Sequence, residues 1–259
     1  MPLTPSGSVL DNSGGSSSGA VSSVFTRTGA VVAQANDYFL VQGRQTQILA
    51  DGTTTTFNVR GDVITLNGAQ GGGSPLAAAA SANLGPSIAT FSSGVGVATG
   101  WSGNLNYRTG KNIRMYFDGG PARTNNERVW WAMTDQTMAT MSASDNPAGN
   151  YAGFRYSTVA GDTHYQCITK DGTTQTITDS GVTPLGINAP ANGAQFAIIF
   201  QDSTPNVLFY INGALVATHT THLPTTGTNL RFIVTQLIDT TSTNSGFYMS
   251  YAIIGTDAW

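Results

Sequence analysis

At 259 residues, with 10% charged residues, 31 glycines and a formal net charge of −3, the chain is long enough for one large β domain, or a moderate one with an N-terminal extension. The composition suits strands and turns and starves helices, so the expected class is all-β. Its only lysines are Lys111 and Lys170, which leaves no basic footprint for nucleic acid or an anionic membrane, and no stretch reaches the ~18 apolar residues of a spanning helix. The single cysteine, Cys167, excludes an intrachain disulfide and a Cys-rich zinc site, and its alternating surroundings read as a small buried position. The opening "MPLTPSGSVLDNSGG" has neither a basic nor an apolar signal region, so the expected site of synthesis is a cytoplasm.

Residues 1–20 form a Pro/Gly/Ser-rich leader that cannot bury apolar surface by itself. Over 21–73 come short β-like pieces, "TQILA", "TTTTFNV" and "DVITL", punctuated by Asp51-Gly52, Gly61-Asp62 and Asn67-Gly68. Each piece holds two or three apolar residues, such as Phe57 and Val59, too few for an independent hairpin. A stalk in which several copies share one core is the expected escape. Residues 74–86 carry the clearest helix signal, with Ser74 as N-cap, Pro75 at the first helical position, a run of alanines, and Gly85-Pro86 as the stop. The spacing predicts a helix over 75–84.

From 87 to 259 regular strands alternate with turns, the pattern of two packed antiparallel sheets. In "NIRMYFD" Ile113, Met115 and Phe117 share one face. In "NVLFYINGALVA" Val207, Phe209 and Ile211 do, and Asn212-Gly213 predicts a two-residue hairpin turn. The near-continuous apolar run Phe196 to Phe200 predicts a central strand.

Two resemblances follow. "VFTRTGAVVAQANDY", Val24 to Tyr38, resembles a segment that recurs in tail-fibre and other appendage proteins of tailed bacteriophages, between a virion anchor and distal β modules; Thr26 and Asn36 stand where glycine is usual. The resemblance implies an anchor or collar function for Val24, Phe25, Arg27, Thr28, Gly29, Asp37 and Tyr38. More loosely, "VLFYINGALVATHTTHLP", "LRFIVTQL" and "GFYMSYAIIG" are similar to the later strands of concanavalin-like and laminin-G-like jelly rolls. Together they imply a homotrimeric fibre, spike or decoration on the surface of a virion, joined to other virion proteins at the tail or the capsid through its N-terminal segment. It would present a lectin-like jelly roll to host-surface polysaccharide. A free carbohydrate-binding module and a glycan-cleaving enzyme are the alternatives.

The expectation for catalysis is none, because Glu127 is the only glutamate and Asp118, Asp171, Asp179 and Asp202 stand beside turn formers. No cofactor or metal is expected either: His219 and His222 read as loop histidines and His164 as a strand residue that hydrogen-bonds in the sheet. Trp130 and Trp131 are neighbours, so in a strand one fills the core and the other faces outward or into a groove. With Arg123 and Arg128 the outward ring forms a candidate contact for a surface glycan, and Arg108, Lys111 and Arg114 extend the basic stretch.

Overall fold

A computed structural model describes residues 23–24, 27–28, 45–49, 56–59, 62–68, 88–92, 96, 98–121, 124–185, 193–238 and 245–257. The chain divides into two units, 1–39 and 40–259. In the first, β1 (Ser23–Val24) and β2 (Arg27–Thr28) form an antiparallel ladder with Ser23 opposite Thr28 and Val24 opposite Arg27. Of the collar residues, Val24, Arg27 and Thr28 lie in this ladder. Phe25, Gly29, Asp37 and Tyr38 lie outside the described residues, as do the leader and the helix expected over 75–84.

The second unit is an antiparallel β-sandwich of the jelly-roll type. Its elements are β3 (Gln45–Leu49), β4 (Thr56–Val59), β5 (Asp62–Gly68), β6 (Ile88–Ser92), β7 (Ala98–Ser102), β8 (Tyr107–Arg108), β9 (Arg114–Pro121), β10 (Glu127–Thr134), a short helix α1 (Met138–Ser142), β11 (Gly149–Ser157), β12 (Gln166–Gly172), β13 (Gln175–Asp179), β14 (Ala194–Gln201), β15 (Asn206–Ile211), β16 (Ala214–His219), β17 (Asn229–Ile238) and β18 (Ser245–Gly255). A nine-stranded sheet runs β13-β12-β11-β10-β17-β7-β5-β4, with β8 also on β17. A seven-stranded sheet runs β16-β15-β14-β9-β18-β3, with β6 also on β18. The short N-terminal pieces thus find partners within the chain: β3 lies along β18, and β5 along β7. Among the described residues they are strands of the sandwich rather than a separate stalk.

The period-2 pattern dictates the core. Phe117 and Phe196 point inward from adjacent strands and stack at 4.6 Å between centroids, and Trp131 from the facing sheet lies nearly parallel to Phe196 at 5.8 Å. Phe154 and Tyr165 pack edge-on against Phe196, and Phe209 packs edge-on against Phe154. Cys167 is buried as expected, and desolvation pushes its thiol far up. β14 is a central strand, between β9 and β15. Asn212 (φ 51°) and Gly213 (φ 78°) make the predicted hairpin turn, with both residues in the left-handed region.

A buried histidine also ties the sheets together through polar contacts. His219, on edge strand β16, is not a loop residue but is 3% exposed between the sheets. Its Nδ1 meets Thr169 Oγ1 at 2.9 Å and its Nε2 meets Thr178 Oγ1 at 3.0 Å, both on the facing sheet. A neutral imidazole offers one donor and one acceptor, which two hydroxyls satisfy. Desolvation drives its pKa down to about 4. Between that value and the ordinary ~6.5 the unfolded chain binds the extra proton, so this contribution is full above ~6.5 and is lost as pH falls towards 4. Urea unfolding is expected to show about 2 to 3 kcal/mol less stability near pH 4.5 than near pH 7.5. His219→Gln should flatten that slope, and an unchanged slope would remove His219 as its source.

Candidate functional site

Trp130 and Trp131 do face opposite sides of β10, but both are 0% exposed, which corrects the expectation of one surface indole. The physical reason is a strap. Helix α1 and the segment 142–147 lie over the outer face of the nine-stranded sheet, where Trp130, Ala132, Met141, Tyr151, Ile168 and Ile233 form a second small core. Cationic side chains and one indole N–H from the sheet donate to the strap's carbonyls. Arg128 Nη1 donates to Ser142 O at 2.9 Å, Trp130 Nε1 to Ser144 O at 3.2 Å, Arg155 Nη1 to Asp145 O at 2.7 Å, and Lys170 Nζ to Pro147 O at 2.7 Å. Arg128 also forks onto Asp145 (2.7 and 2.8 Å), so it is a buried clamp and not an exposed sugar contact. Arg123 lies outside the described residues. Sequence reasoning missed α1, although its signal is present: Thr137 caps Thr140 N, and Met138 and Met141 share one helical face.

Two carboxylates, Asp145 and Asp162, belong to this cap. Burial would raise the Asp145 carboxyl, but hydrogen bonds from Arg128 and Ser157 and the charges of Arg128 and Arg155 outweigh it and hold it below the usual range. Asp162 receives the Arg155 fork at 2.9 Å through both nitrogens, while the guanidinium lies 5.7 Å from the centroid of Trp130. Elsewhere, Asp171 accepts from Thr173 N and Thr174 N, Asp179 from Gly181 N, and Asp202 from Gly110 N and Asn112 N, all of it turn and loop work. Asp118 instead sits within β9. His222 and His164 are exposed or half-buried partners of Asp171 and Asp179, at 2.9 Å each, and His164 is therefore a loop residue and not part of a ladder.

The outer face of the seven-stranded sheet is built differently. Register aligns Ile253, Tyr116, Ala197, Tyr210 and Leu215 in one row across β18, β9, β14, β15 and β16. Ala197 is directly opposite Tyr116 on one side and Tyr210 on the other. With only a methyl between them, the two tyrosines flank a depression of about 270 Å³, lined also by Gln195, Ile199 and Gly213. Strand spacing sets their backbones about 10 Å apart, wide enough for one flat ring to enter. Desolvation raises the Tyr116 phenol, partly offset by Arg114, while Tyr210 adds to the rise, so the hydroxyl stays a neutral donor and acceptor. Gln195 in the lining is exposed, as is Leu215, which stands opposite Tyr210 on β16. The run Phe196 to Phe200 is apolar throughout because Ala197 and Ile199 serve this slot while Phe196, Ile198 and Phe200 serve the core.

No family model matches the chain, and no curated protein matches it. Solved structures share the sandwich at low identity. The carbohydrate recognition domain of Emp47p superposes with a TM-score of 0.53 at 8% identity, over 88% of this chain and 100% of that one. The apo Crh5 transglycosylase superposes with a TM-score of 0.52 at 14% identity, over 82% and 84%. The same architecture therefore hosts a recognition domain and a transglycosylase. This overturns the expectation, drawn from the single glutamate, that the chain has no enzymatic role.

The cap yields a direct test. The side chains of Arg155 and Asp162 are 4% and 7% exposed, so Asp162→Asn leaves a buried guanidinium short of its counter-charge. A loss of about 3 kcal/mol in urea unfolding is expected, with partial recovery in the Arg155→Met/Asp162→Asn double variant. A loss below about 0.5 kcal/mol would show that the pair does not hold the strap.

Proposed function

We propose that the sandwich is a lectin-like carbohydrate-binding module that receives one sugar ring between Tyr116 and Tyr210. Two tyrosines facing each other across an alanine, flanking a depression on the outer sheet face, carry this reading. A pyranose presents a face of C–H groups that is apolar and slightly positive, the complement of the negative face of an aromatic ring. The phenol hydroxyls and the exposed Gln195 amide match the sugar's hydroxyls. At about 270 Å³ the slot is near the lower end of ligand clefts, which suits a single residue of a longer glycan. The fold shared with the recognition domain of Emp47p agrees with this use.

A finer reading concerns where the module sits, and its support is the collar resemblance over Val24 to Tyr38 with the Ser/Gly-rich leader before it. On that reading the chain is a homotrimeric appendage of a phage virion, held by its N-terminal segment to other virion proteins and presenting three slots to host-surface polysaccharide. Weak single sites then gain by avidity.

A glycan array followed by titration should find a neutral saccharide whose affinity falls at least ~10-fold, equal to ~1.4 kcal/mol, in both Tyr116→Ala and Tyr210→Ala at unchanged melting temperature. Binding that survives both changes would displace the slot. Light scattering after size exclusion should give a trimer for the full chain at every concentration. A monomer would sink the appendage reading and leave the slot untouched.

A further inference from the structure

We propose a second site, for an anionic saccharide, in the cavity lined by Arg108 and Lys111. The basic stretch noted in the sequence is sorted by the fold. Arg114 is paired with Asp257 at 3.0 Å and Arg128 with Asp145 at 2.7 Å, which leaves Arg108 and Lys111 without an ion pair among the described residues. Both line one cavity of about 490 Å³, together with Leu105, Asn106, Asn229, Thr256 and Asp257. It forms where the chain passes from β8 in one sheet to β9 in the other and meets the residues that follow β18.

The lining is chemically specific. Asp257, the one carboxylate among its described lining residues, is already engaged: Oδ1 by Arg114, Oδ2 by Asn112 Nδ2, while its backbone N–H donates to Lys111 O at 2.8 Å. The two lining cations therefore face a carboxylate whose charge is already balanced from outside the cavity. Arg108 stands opposite Asn229 in the β8–β17 ladder, on the outer side, because its neighbours Tyr107 and Leu230 are wholly buried. Arg231, two residues along the same side of β17, has an enclosed Nε without a hydrogen-bond partner among the described residues and adds a third positive charge nearby.

A fork-shaped guanidinium beside an ammonium receives a carboxylate or sulfate oxyanion. Two amides and a hydroxyl match sugar hydroxyls, and Leu105, 40% exposed, offers an apolar edge to a ring's C–H face. An oxyanion, hydroxyls and an apolar face occur together in acidic sugars, whereas a bare inorganic anion would leave the amides and the leucine unused. The site is separate in residues from the tyrosine slot and does not depend on it.

Calorimetric titration of the full chain with a short oligogalacturonate, a sulfated galactan oligomer and the matching neutral galactan oligomer is the test, at low and high salt. At least one acidic oligomer should bind ~10-fold or more tightly than the neutral one and weaken as salt rises. Which acidic arm binds identifies the oxyanion. Arg108→Gln/Lys111→Gln, both changes at the edge of an open cavity, should abolish that preference while leaving Tyr116- and Tyr210-dependent binding intact. Acidic binding without binding of the neutral galactan keeps this site, and the slot is then decided by the array and the Tyr116→Ala and Tyr210→Ala variants alone. Equal affinity for acidic and neutral oligomers, an unaltered preference in the double variant, or full competition by inorganic sulfate would each overturn the proposal.

Discussion

The stack of Phe117, Phe196 and Trp131 is the contact from which the rest of the molecule takes its orientation. Three rings within 14° of parallel lock β9, β14 and β10 at one inward parity. Because side chains alternate along a strand, every neighbour is then assigned a face: Tyr116 and Ala197 outward on one sheet, Arg128 and Trp130 outward on the other. A slip of one residue in β9 would turn Tyr116 into the core and Phe117 into water. The surface chemistry is thus a by-product of the packing inside.

The two outer faces then meet water in opposite ways. On the nine-stranded sheet, large side chains on β10, β11 and β12 are covered by the chain's own strap, and arginines and a lysine are spent on its carbonyls. Removing so many cations from solvent is tolerable only because each is hydrogen-bonded within the cap. On the seven-stranded sheet no comparable segment lies over Ala197 among the described residues, and the aromatic pair beside it stays half-exposed. Among the described residues, one face is covered by the chain's own strap and the other is not.

Much of this was legible in the sequence. The alternation in "NIRMYFD" and "NVLFYING" gave the inward faces, and the Asn-Gly turn gave the hairpin, because both depend on local geometry. The tryptophan pair was read correctly as two-sided and wrongly as half-exposed. Alternation says which way an indole points but nothing of a strap brought over it by a later loop. His219 escaped for a related reason: "THTTH" is as polar as a loop, and only the facing threonines of β12 and β13 make an imidazole at home between sheets. The tyrosine slot was hidden because its members are spread over three strands, joined by register and not by spacing. The partnering of β3 and β5 was equally non-local.

The position of β18 has a consequence for how the chain is made. In the seven-stranded sheet it lies between β9 and β3, so the strand latest in the chain separates two that were synthesised long before. Until it emerges from the ribosome, β9 has one unpaired edge, β3 has no partner on that side, and Phe117 lacks the cover of Ala252 and Ile254. Such non-local closure is slow and leaves strand edges available to neighbouring nascent chains in the meantime. Yield in the cell should therefore be governed by the interval between translation of β9 and β18, and chaperones that shield sheet edges would act within that interval.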